Sequence, residues 1–69
     1  MAAFRPADRV RIRDTPRTTL DAGKIATVVW IKEDRARGVV MCQVRLDGNH
    51  PVYTVLQPDE LEPAPEHPP

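Results

Sequence analysis

The chain has 69 residues, 41% of them hydrophobic and 29% charged, with Phe4, Trp30 and Tyr53 as its only aromatic side chains. Folding a chain this short removes only about 60% of its unfolded surface from water, which leaves a small core and little room for a deep catalytic pocket. It contains no run of about 18 apolar residues, which excludes a transmembrane helix.

The formal net charge of zero conceals a polarity. All ten Lys and Arg lie in residues 1–46, which carry net +5, while residues 47–69 carry five acids and no base. Such asymmetry points either to an acidic or nucleic-acid partner or to a fold that interleaves the two halves. The overall balance gives little electrostatic drive towards phosphate, so interleaving is the expected outcome. Cys42 stands alone, which rules out an internal disulfide and suits a reducing, cytoplasmic setting. The opening Met-Ala-Ala-Phe-Arg-Pro lacks the apolar stretch of a secretory signal.

In chain order, residues 1–7 read as a lead-in, with Pro6 restricting the backbone before the first strand. Asp8 to Arg13 alternates Val10 and Ile12 with Arg9, Arg11 and Arg13, the pattern of a half-buried strand. Asp14 to Ala22 is a polar loop longer than a usual hairpin connection; Leu20 is expected to fold back onto the core. Lys24 to about Lys32 is a β-branched strand whose alternation breaks at Val28-Val29-Trp30-Ile31, which predicts a bend or bulge. The charged segment Glu33–Gly38 turns into a third strand, with Val40, Cys42, Val44 and Leu46 inward and Gln43 and Arg45 outward.

Asp47-Gly48-Asn49-His50 is a tight-turn signal. Pro51 to Leu56 follows as a fourth strand, Gln57 to Leu61 as a single helical turn, and Leu61 seats a short fifth strand. Pro63–Pro69 holds four prolines and is expected to be an unstructured tail or a polyproline ligand. The domain division is therefore 1–62 and 63–69. The fold class is all-β: a small five-stranded antiparallel barrel with one short helical turn before the last strand.

Asp8-Arg9-Val10-Arg11-Ile12, Gly23-Lys24-Ile25-Ala26-Thr27-Val28-Val29, Val44-Arg45-Leu46-Asp47-Gly48 and Pro58-Asp59-Glu60-Leu61-Glu62 together carry a resemblance. In that order they resemble the SH3-like small barrel of KOW-type modules and of the photosystem I subunit IV and ferredoxin–thioredoxin reductase accessory-subunit families. The resemblance spans about residues 5–62 and implies a scaffold shared by unrelated activities. Ala7 and Ala26 stand where these families usually place glycine.

Two sets of side chains could carry a function. Arg17, Leu20, Trp30, Arg35, Arg37 and Tyr53 would form a protein-binding surface around the long loop, the Glu33–Gly38 tip and the indole. Alternatively, Arg9, Arg11 and Arg13, about 7 Å apart on one strand face, would join Arg17 and Arg45 in a basic stripe for RNA or DNA. Against the stripe stands a simple outward face, cross-paired with acids of the next strand. His50 and Asp47 share a turn without a companion nucleophile, and no ligand spacing suggests a metal or other cofactor. The expected function is thus non-enzymatic: an accessory subunit or adaptor of a larger protein, with nucleic-acid binding as the alternative.

Overall fold

A computed structural model describes residues 4–65 of the chain. Its five strands are β1 (Arg9–Ile12), β2 (Ile25–Asp34), β3 (Val39–Leu46), β4 (Val52–Leu56) and β5 (Leu61–Pro63). A 3-10 turn, Pro58–Glu60, precedes β5. All neighbouring strands are antiparallel, in the order β4-β3-β2-β1-β5. The expected all-β architecture is therefore present, with the single short helical turn where proline and acidic residues predicted it. The barrel is not closed by hydrogen bonds, however: β4 and β5 are the two edges of one sheet.

The alternation of the strands explains the core. Val10 and Ile12 from β1, Ala26 and Val28 from β2, and Cys42, Val44 and Leu46 from β3 all point inward. Leu56 at the end of β4 and Leu61 at the start of β5 join the same cluster, so the sheet wraps around it from edge to edge. Phe4 covers this cluster from the lead-in. Removal of these side chains from water, at about 25 cal/mol per Å² of apolar area, is the main favourable contribution to the fold.

The break in alternation on β2 is a β-bulge. Val28 lies opposite Val44, but Trp30 lies opposite Gln43, so Val29 is the extra residue. The bulge shifts the register by one. Ile31 consequently packs against the core beside Cys42, while Trp30 shares the outward face with Gln43. Without the extra residue, the strand would have presented the indole inward.

Two connections depart from the expectations. Leu20 does not return to the core but is 93% exposed. Thr18 is the loop's buried residue instead, because its Oγ1 donates to the Arg13 carbonyl and accepts from the Thr15 amide at 2.9 Å. Successive turn bonds, Thr18 N to Thr15 O and Asp21 N to Thr18 O, then direct Leu20 into water. The hairpin tip is also shorter than expected: β2 extends through Asp34, so only Arg35–Gly38 form the connection, closed by Gly38 at φ +67°.

β5 reaches Pro63, one residue past the expected boundary, and the Ala64 amide donates to the Arg9 carbonyl at 3.1 Å. Glu66 to Pro69, which include His67, lie outside the described residues.

Candidate interaction surface

The outward faces of the strands hold the charged candidates, and their geometry separates them into two groups. On β1, Arg9 makes a bidentate contact with Asp47, Nη1 to Oδ1 at 2.8 Å and Nη2 to Oδ2 at 2.5 Å, and also donates to Thr27 Oγ1 at 2.8 Å. Arg11 donates through Nε and Nη2 to Glu62 Oε2, its cross-strand neighbour on β5. The Arg13 Nε lies 3.9 Å from the other oxygen of Glu62, and its Nη1 reaches the Asp59 carbonyl. In the long loop, Arg17 Nε sits 3.5 Å from Oε2 of buried Glu60.

Four of the five arginines expected to form a basic stripe thus face carboxylates. Each of these carboxylates comes from residues 47–62, so the charge polarity of the sequence is folded back on itself. Arg45 alone among the five has no carboxylate within 4 Å among the described residues.

The Arg9–Asp47 contact also sets the electrostatics of the Asp47–Pro51 turn. The hydrogen bonds from Arg9 hold the Asp47 carboxyl below the ordinary aspartate range, aided by the positive charges of Arg9 and Arg45. Reciprocally, the bonds to Asp47 raise the Arg9 guanidinium. Asp47 is therefore already engaged, and His50 beside it is exposed. Among the described residues, no three His, Cys, Asp or Glu side chains come together. Burial pushes the Cys42 thiol up, which disfavours the thiolate.

A second group lies on the outward face of β2, β3 and β4. Cross-strand pairing puts Trp30, Gln43 and Val55 in one row, and Thr27, Arg45 and Tyr53 in the next. Met41 follows Gln43 by alternation and is 41% exposed; Tyr53 is 56% exposed. Trp30 is half-buried and is not among the side chains packed on the core. It sits in mid-strand rather than at the hairpin tip, four residues before the end of β2.

Below these rows, an open groove of about 240 Å³ is lined by Val39, Met41, Val55 and Gln57, with Arg17 and Arg37 beside it. Arg17 reaches it from the β1–β2 loop and Arg37 from the β2–β3 turn. Arg37 is held there by Asp34, whose carboxylate accepts from the Arg37 amide at 3.2 Å and lies 3.6 Å from its Nε.

Of the predicted protein-binding residues, the structure therefore brings Arg17 and Arg37 to one groove. Trp30 and Tyr53 lie on the adjoining sheet face. Arg35 is exposed in the turn, and Leu20 is exposed in the long loop. Met41, Val55 and Val39 were not predicted as members of this face, although strict alternation along β3 from Gln43 would have identified Met41 and Val39. No family model matches the chain, and neither a curated protein nor a solved structure matches it.

Proposed function

We propose that the chain is an SH3-like small barrel acting as a non-enzymatic protein-interaction module, the accessory subunit or adaptor of a larger protein. The observation that carries this reading is the outward face of β2–β4. Trp30, Met41, Val55 and Tyr53 stand there among Lys32, Gln43 and Arg45, and the groove at its end, lined by Met41 and Val55, is flanked by two guanidinium groups. Aromatic, Met and Arg side chains are the types enriched where proteins meet. A partner segment that combines apolar side chains with polar groups suits this surface; a partner carboxylate would have to share Arg17 with Glu60 and Arg37 with Asp34, or be met by Arg45 and Lys32.

The scaffold part of the proposal draws on the meander of β1 to β4, the return of β5 beside β1, and the 3-10 turn between β4 and β5. Of the stripe named for the nucleic-acid alternative, only Arg45 is without a carboxylate among the described residues, because phosphate would have to displace Asp47, Glu60 and Glu62 from Arg9, Arg11, Arg13 and Arg17.

The test is capture on the immobilised full chain, with and without nuclease and at low and high salt, beside a Met41→Glu, Val55→Glu double variant. A stoichiometric protein that survives nuclease and salt and is lost with the double variant is the expected result. Recovery of RNA or DNA that disappears with salt would replace this reading with the nucleic-acid one.

A further inference from the structure

The two edges of the sheet are unequal. β5 is three residues long, ends in Pro63 and carries Glu62, which are devices that keep an edge from pairing with another strand. β4 is five residues long and reads Val52-Tyr53-Thr54-Val55-Leu56, all β-branched, aromatic or Leu. From Pro51 to Pro58 the sequence has no charged residue. Among the described residues, no strand pairs with its outer side and no turn or loop backbone bonds to it. Val52 and Tyr53 on this edge are 53% and 56% exposed.

We infer that β4 pairs antiparallel with β4 of a second copy of the chain, which joins two five-stranded sheets across a two-fold axis at Thr54. The occupant follows from self-complementarity. A two-fold axis at Thr54 sets Tyr53 opposite Val55 of the other copy on the outward face, twice over, and Val52 opposite Leu56 on the inward face. Aromatic against β-branched is among the favourable cross-strand pairs. Pro51 and Pro58 bracket the strand, so pairing is confined to 52–56, and only this register uses all five residues. No charge opposes another in it. The nearest guanidinium, Arg45, is one strand back from the edge, beside Tyr53. The row across the joined sheet runs Thr27, Arg45, Tyr53, then Val55 and Gln43 of the second copy. This inference needs no other protein, but it uses Tyr53 and Val55 of the face assigned above; the mass of the purified chain and the cross-link at position 54 test it apart from partner capture.

The experiment is a concentration series of the purified full chain by light scattering or sedimentation, beside Tyr53→Lys and two cysteine variants. Twice the monomer mass is expected to appear with rising concentration, and Tyr53→Lys is expected to weaken it about tenfold, because it removes two symmetric pairs. Under mild oxidation, Thr54→Cys is expected to cross-link two copies, since directly opposed residues lie about 5 Å apart. Val52→Cys is expected not to, because its two copies are offset by four residues, about 13 Å along the strands. A monomer at every concentration up to about 1 mM, or cross-linking at 52 as readily as at 54, would overturn the inference.

Discussion

At the scale of single residues, Ala7 is the clearest case of a position whose backbone demands more than its side chain provides. The segment Arg5-Pro6-Ala7-Asp8 is a turn closed by the Asp8 amide donating to the Arg5 carbonyl at 3.0 Å. Proline second and a positive φ third is the type II pattern, and the third position favours glycine; Ala7 has φ +76°. Ala7→Gly is therefore expected to raise unfolding free energy by about 1 kcal/mol, measurable by urea titration. No gain would mean that the turn relaxes in solution. Ala26, the other departure from the glycine pattern, is an ordinary strand residue, fully buried between Val10 and Leu46. Its small side chain suits that space, and its φ is not positive. Asp47 gives a second residue-scale prediction. Its folded pKa is lowered, so the stability it lends is fully present above the ordinary aspartate value of about 3.9 and is lost as pH falls through the folded value. The stability gap between the native chain and Asp47→Asn should be constant from neutral pH down to about 5 and close below about 4. A gap that widened on acidification would contradict the Arg9 contact as its source.

At the scale of elements, the 3-10 turn is held by a buried acid. Glu60 is 4% exposed, and its Oε1 accepts from the Gln57 amide at 2.8 Å while Oε2 faces Arg17. Glu60→Ala leaves that amide without its acceptor and is expected to cost about 1–3 kcal/mol, whereas Glu60→Gln, which keeps an acceptor, should cost less. Equal losses in chemical denaturation would assign the effect to charge alone. Buried β-strand residues are equally exposed to this kind of test: Ile12→Ala should cost about 3 kcal/mol, a large share of what a domain this small possesses. How far these elements were legible follows from their periodicity. β1 and β3 alternate, and Val10, Ile12, Cys42, Val44 and Leu46 are buried as the sequence pattern indicates, whereas Val40, also expected inward, is half-buried outside the core cluster near the hairpin end of β3. β2 showed in sequence that its alternation breaks, but not which residue is extra, because Val28, Val29, Trp30 and Ile31 are all apolar and any of them could have bulged. The fate of Leu20 was illegible for a different reason. Hydrophobicity argued for burial, but the short-range hydroxyl bonds of Thr15 and Thr18 decided the path of the loop.

At the scale of the whole molecule, four ion pairs join a basic N-terminal part to an acidic C-terminal part through adjacent strands and turns. The composition registered the imbalance, but only the placement of β5 beside β1, and of Asp47 beside Arg9, determines that it is internally matched. That match leaves the outward face of β2–β4, where Trp30, Met41, Val55 and Tyr53 stand among Lys32, Gln43 and Arg45 and Arg17 and Arg37 flank the groove, as the surface proposed to bind a partner. Its members come from three strands, with Trp30 turned outward by the bulge, and its arginines from two separate loops, so no contiguous motif announced it. The most direct measurement is the comparison of captured partners by native chain and by the Met41→Glu, Val55→Glu variant, after both are shown to unfold at the same denaturant midpoint. One stoichiometric protein is expected on the native chain, stable to nuclease and high salt and missing from the variant. A partner retained undiminished by the folded variant would contradict the assignment of this face.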